Sequence, residues 1–310
     1  MRWGIVAVTV AVLLTAGCSK DTEGGGLTAR LLDQVGDGFD GVSAGPNHLY
    51  ALGGSQVYPL DSASGEPSGA SFTLDALKTR RAVAEDGAIW FTSTDAKPPN
   101  RRAAPGGRYD ELVLPGDLDG AGVAVSGETG WVMAPFDRKA VPFTEDGVAG
   151  KSVDIPCDTI VVNTPLVGSD GAVWTYCEEG VARIDTDDRS ASLVDIGGRP
   201  TGLALTSSTL WAARDGTLYA IDPDTGEITN TVDRPEAQGL AGDGDDLWVT
   251  GGGITLHSGS DGRQVNGPVS LPSLSDQVGS AISEMAAFGG RLFLTLQSYG
   301  APLVMVQRAG

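Results

Sequence analysis

Histidine is nearly absent from this 310-residue chain, which has two, and cysteine occurs three times. So few nitrogen and sulfur ligands leave little room for a zinc centre or a histidine-based catalytic triad. No Cys-x-x-Cys pair occurs, so thioredoxin-like redox chemistry lacks its motif. Aromatics make up only 6% of the residues, and 21 basic side chains face 40 acidic ones. The net charge of −19 excludes general nucleic-acid binding, because phosphates would meet a surface of their own sign. Apolar residues still reach 41%, enough for a real core, which excludes a wholly disordered chain. No cofactor is implied.

One long apolar run is present, Trp3 to Leu14, directly after Met1-Arg2. It is shorter than the roughly twenty residues that cross a bilayer and fits a secretory signal core. Thr15-Ala16-Gly17-Cys18 follows, and these small residues before a cysteine resemble the lipobox of bacterial lipoproteins. In that family the chain is cut before the cysteine, which then carries acyl chains such as palmitate. The resemblance implies a signal over residues 1–18 and lipidation of Cys18, although Thr15 stands where the family usually has leucine. An ordinary signal peptide cut after Ala16 or Gly17 is the other reading. Two or more acyl chains anchor a protein stably where one is marginal. Residues 19–26, polar and ending in three glycines, read as a flexible tether. The expectation is therefore a protein lipid-anchored to the cell membrane on its extracytoplasmic side.

Residues 27–310 are dominated by one pattern that returns seven times: a small apolar segment, a polar turn, then an aromatic among aliphatics. Its aromatics are Tyr50, Trp90, Trp131, Trp174, Trp211, Trp248 and Phe293, spaced 40, 41, 43, 37, 37 and 45 residues apart. Each instance reads as a β-hairpin. A third strand follows, as in Val181 to Asp185 and Leu218 to Asp222, and a fourth lies beyond a turn such as PDTGE, as in Ile228 to Val232. Four strands per unit of about 40 residues is a propeller blade. The spacing predicts an all-β, single seven-bladed propeller, with six blades as the alternative count. The seven aromatics are expected to pack between blades. The last unit lacks a fourth strand, and Leu27 to Gln34 is an orphan strand, so the N-terminal strand is expected to complete the last blade.

Units such as GLALTSSTLWAARDGTLYAIDPDTGEITNTV resemble the bacterial propeller repeats of the NHL, YVTN and streptogramin-lyase-like group. That resemblance implies the fold, and a group that holds binding scaffolds, sensor ectodomains and a few enzymes. The streptogramin lyases use paired histidines near the propeller axis. Neither His48 nor His257 matches that motif, so the lyase activity does not carry over.

Cys157 and Cys177 remain as an even pair, expected to form a disulfide worth roughly 3 kcal/mol in the chain-entropy picture. The acid-rich turns Gly242 to Asp246 and Asp222 to Glu227 lack EF-hand spacing, and Asp, Gly and Pro are also what tight turns require. No metal site is nominated. Glu178, Glu179 and Asp215, with Arg199, Arg214 and Arg234, are expected on one face, around the central channel. Lys78, Arg80, Arg81, Lys97, Arg101 and Arg102 are six of the 21 basic residues within 25 positions, a candidate patch for an acidic partner. The function expected is a non-catalytic, monomeric docking scaffold for a protein or an anionic envelope polymer, with no nucleic acid. The rivals are a lyase or hydrolase holding a polar ligand in the channel, and a small-ligand sensor.

Overall fold

The computed structural model describes residues 22–32, 39, 41–74, 79–93, 100–103, 109–115, 118, 120, 122–160, 166–272, 282–297 and 302–310. The leader, Cys18 and Gln34 lie outside them. The described residues form seven antiparallel sheets arranged as a seven-bladed β-propeller, with no helix among them. The innermost strands are Gly41–Ala44, Thr79–Val83, Gly122–Ser126, Val167–Ser169, Gly202–Leu205, Gly239–Asp243 and Ile282–Phe288. Each blade then runs outwards through neighbouring antiparallel strands. One face of the disc carries the turns joining first to second and third to fourth strands. The opposite face, here the connection face, carries the second-to-third turns and the blade-to-blade connections.

The seven spaced aromatics all sit on second strands, each with 3% exposure or less. Their partner is the next blade. In the first, fifth and sixth blades the third-to-fourth turn places a glycine (Gly65, Gly226 and Gly262) against Phe293, Trp174 and Trp211 of the preceding blade. A Cβ on those glycines would stand 3.4, 3.9 and 2.7 Å from the ring. All three adopt the left-handed backbone, with φ of 73°, 77° and 70°. The turn thus needs glycine for its conformation and again for the ring it covers. The Trp211 indole also donates from Nε1 to the Gly259 carbonyl at 2.7 Å. The contact from Phe293 to Gly65 joins the last blade to the first, so the same device closes the ring.

Closure of the last sheet is the other requirement. Leu27–Leu32 pairs along Leu303–Arg308, from Leu27 opposite Arg308 to Leu32 opposite Leu303, and supplies the outer strand the seventh blade lacked. Of the residues 19–26 that the sequence read as a tether, those from Thr22 onward are part of the fold. Thr22–Gly24 forms a fifth strand on that blade, paired back through a turn at Gly25 and Gly26. Those glycines are needed for close approach. A Cβ on Gly25 would come within 2.4 Å of the Gly267 carbonyl oxygen, and Gly267 N donates to Gly25 O at 2.7 Å. Cys157 and Cys177 are bonded, with Cα atoms 5.8 Å apart, tying the connection after the third blade to the second strand of the fourth.

The covered ring yields a controlled comparison. Gly244 also has a left-handed backbone, with φ 55°, but open space around it. Gly244→Ala is expected to cost about 1 kcal/mol of left-handed strain. Gly262→Ala should add roughly 1–3 kcal/mol from overpacking against Trp211. Urea unfolding of both variants measures the difference, and equal losses would remove the ring contact from the account.

Candidate functional site

The innermost strands of all seven blades line a central channel of about 1910 Å³. That exceeds the roughly 300–1,000 Å³ of an ordinary small-ligand pocket. Its wall is mostly glycine, alanine, serine and short aliphatics, and its charged residues are Arg81, Glu85, Asp170, Asp222, Asp224 and Glu284.

Arg81 is the arginine the sequence placed in an exposed basic patch. The structure puts it elsewhere: its side chain is 6% exposed and forms an ion pair with Glu284 of the seventh blade. On the way it donates from Nε to the Ser43 hydroxyl of the first blade at 2.8 Å. It thus spans the second, first and seventh blades, passing where Gly41 offers no side chain; a Cβ there would collide with the guanidinium. Arg102 is also withdrawn from the expected patch. It is 9% exposed, pairs with Asp86 at 2.6 Å, and lies over the Trp90 ring at 5.7 Å. Arg183 repeats this position over Trp174 at 5.9 Å, in each case directly across the sheet from the tryptophan. The pattern belongs to the blade and serves packing. The side chains of Arg80 and Arg101 are outside the described set, and Lys78 and Lys97 lie outside the described residues entirely.

The other candidates emerge on the connection face, but as local pairs, and none of them is among the channel-lining residues. Arg199 lies 3.6 Å from Glu178, both about half exposed. Arg199 also stands close to Tyr176, whose phenol is pushed up by burial with that guanidinium pulling the other way. Arg214 pairs with Asp215 at 3.1 Å and donates from Nη1 to the Ile196 carbonyl at 2.7 Å. Asp215 occupies the left-handed first position of an Asp-Gly hairpin turn, with φ 46° before Gly216 at 79°. Arg234 turns away to donate to Gln264 Oε1 at 2.6 Å and to pack on His257. Glu179 faces the sulfur atoms of Cys157 and Cys177.

Neither histidine lines the channel. His48 stacks on Tyr50, with ring centroids 6.1 Å apart. His257 is fully buried and donates from Nδ1 to the Gly262 carbonyl at 2.8 Å. Burial, reinforced by Arg234 against that hydrogen bond, holds its pKa below the ordinary imidazole value. The acid-rich turns use their carboxylates on their own backbone. Asp222 Oδ1 accepts from Asp224 N at 2.8 Å and Thr225 N at 2.9 Å, and Asp61 and Asp185 repeat the arrangement. Asp243 and Asp246 reach the seventh blade instead, at Gly290 N and Arg308.

Sequence reasoning missed Glu284, Ser43 and Asp86, the partners that take Arg81 and Arg102 out of solvent. A charge inside the small-residue strand ISEMAAF was the available signal for Glu284. It also missed the exposed apolar tips Phe136, in the second-to-third turn of the third blade, and Val113, in the connection just before that blade. They are 74% and 65% exposed.

No protein-family model and no curated protein matches this chain. Solved structures share its architecture. U3-55K aligns over 90% of this chain and 98% of its own, with TM-score 0.68 and 10% identity. Virginiamycin B lyase from Staphylococcus aureus aligns over 91% of this chain and 98% of its own, with TM-score 0.66 and 18% identity. A catalytically inactive variant of that lyase with quinupristin gives 0.66 and 16%, covering 91% and 99%. At these identities the likeness is one of fold.

Two outcomes are expected. Arg81→Met should cost about 3 kcal/mol by stranding Glu284 in a partly buried site, and adding Glu284→Leu should recover part of that loss. A double variant no more stable in urea than Arg81→Met would contradict this. Backbone hydrogen bonds are the largest cause of the lowered carboxyl pKa values of Asp61, Asp185 and Asp222. Their contribution is present above the ordinary carboxylate pKa of about 4 and is lost as pH falls through the lowered folded values. Asp222→Asn keeps the acceptor without the titration, so its stability in urea should fall less steeply with acid than the parent's.

Proposed function

We propose that this protein is a lipid-anchored extracytoplasmic lipoprotein whose propeller is a rigid, non-catalytic docking platform. The observation that carries the platform reading is the composition of one face. Phe136 and Val113 project from adjacent structural units, and the Glu178–Arg199 and Arg214–Asp215 pairs emerge on the same side of the disc. An exposed aromatic among charged rim residues is how protein interfaces are centred. The rigid frame beneath suits preorganised binding, since little order has to be gained on association. The preferred partner is a protein, and an anionic envelope polymer is the second. The anchor rests on Thr15-Ala16-Gly17-Cys18 and the apolar run before it.

The competing reading is a channel enzyme, favoured by the channel's breadth and by the fold shared with a lyase. Against it stands the wall itself. Among the described residues its arginine, Arg81, is committed to Glu284 and Ser43, and both histidines are engaged in packing away from it.

The test is a cross-linked pull-down from detergent-solubilised envelopes with the parent and a Phe136→Asp, Arg199→Glu double variant. A partner captured by the parent and lost by the variant supports docking on this face. Undiminished capture by the variant, or none by the parent, overturns it. In the same cells Cys18→Ser should move the protein out of the membrane fraction, and retention there would overturn the lipid anchor.

A further inference from the structure

Cys157, Cys177 and Glu179 bring their donor atoms within 4.8 Å of one another where the second strand of the fourth blade ends. Both cysteines are buried, at 2% and 0% exposure. Glu179 is half-buried, but its Oε2 atom is shut away from solvent and accepts no hydrogen bond. A sequestered carboxylate oxygen without a donor is an unfavourable arrangement, and a bound cation is one of the few things that relieves it. The frame around the three side chains is tight. Cys177 N donates to Gly180 O at 2.9 Å, Gly180 N returns to Cys177 O at 3.3 Å, and Glu178 N donates to Thr159 O at 3.1 Å. A further bridge pairs Ile160 with Cys177, so the connection carrying Cys157 is fixed to the turn carrying Glu179 by backbone as well as by sulfur.

We propose that these three residues form a zinc site that becomes available when the disulfide is reduced. A dithiol reductant breaks the S–S bond with two electrons and two protons, leaving two thiols and becoming a disulfide itself. The incoming cation releases both thiol protons to solvent, and the two thiolates and the Glu179 carboxylate become its ligands. Two sulfurs and one carboxylate oxygen suit Zn²⁺, with the fourth tetrahedral position left for water. Magnesium and calcium, which prefer oxygen ligands, are selected against by the thiolates. The connection after the third blade is then cross-linked to the fourth blade in both states, by sulfur–sulfur when oxidised and by metal when reduced. The site adjoins the docking face, because Glu179 follows Glu178, the partner of Arg199, but metal binding is read out separately and does not depend on what binds there.

The full chain carrying Cys18→Ser, kept in detergent with a phosphine reductant, tests this with Co²⁺ as the spectroscopic probe and Zn²⁺ in competition. The reduced protein should bind one equivalent of Co²⁺ with a thiolate-to-metal absorption band, which Zn²⁺ displaces and the oxidised protein does not show. Cys157→Ser should abolish the band. Glu179→Gln should weaken Co²⁺ binding roughly tenfold or more while leaving the β-sheet circular dichroism unchanged. No band from a reduced protein that keeps its sheet signal overturns the proposal. So does an affinity unchanged by Glu179→Gln. Loss of the sheet signal on reduction overturns it too, because the site requires the folded frame.

Discussion

The contact on which this molecule depends is an aromatic ring of one blade seated under a glycine turn of the next. A single four-stranded blade is apolar on both faces and has nothing to bury them against except its neighbours. The second-strand aromatic gives each blade a large buried body, and in the first, fifth and sixth blades a glycine turn gives a concavity to receive the preceding blade's ring. Because Phe293 meets Gly65 by the same geometry that joins Trp211 to Gly262, the last joint of the ring resembles an internal one. The indole bond from Trp211 to Gly259 then fixes one ring in orientation as well as in depth.

Charge is arranged around this frame rather than added to its surface. Arg102 and Arg183 cover tryptophan faces from the third strand. Arg81 crosses the channel wall to Glu284 and so ties the closing blade to the second one. Asp61, Asp185 and Asp222 fold their carboxylates back onto turn amides. A large negative net charge thus coexists with a channel wall made mostly of small neutral residues, with Asp222 and five other charged side chains among its lining.

The fold was legible because its cause is periodic. An aromatic every 37 to 45 residues, each after a polar turn, marks the second strand of a blade, and all seven positions are buried there. The missing fourth strand of the last unit and the orphan strand before the first also matched, at Leu27–Leu32. Individual side chains were less legible, because their fate is decided by residues far along the chain. Arg81 and Glu284 are 203 positions apart, and only the closed ring brings them together. Glycine misled in the same way: GGG at residues 24–26 has the composition of a flexible linker, yet Gly25 is required for contact with Gly267. Local spacing records what a blade repeats, whereas pairs made once in the ring leave no periodic trace.

The strand at Thr22–Gly24 sits outermost on the seventh blade, on the circumference of the disc. Between Cys18 and Thr22 there are four Cα–Cα steps, which span at most about 14 Å when fully extended. A lipid at Cys18 would therefore moor the disc by its edge on a short leash, like a wheel standing on a road. Neither flat side would then be pressed against the bilayer, and the axis of the channel would run along the membrane and not into it.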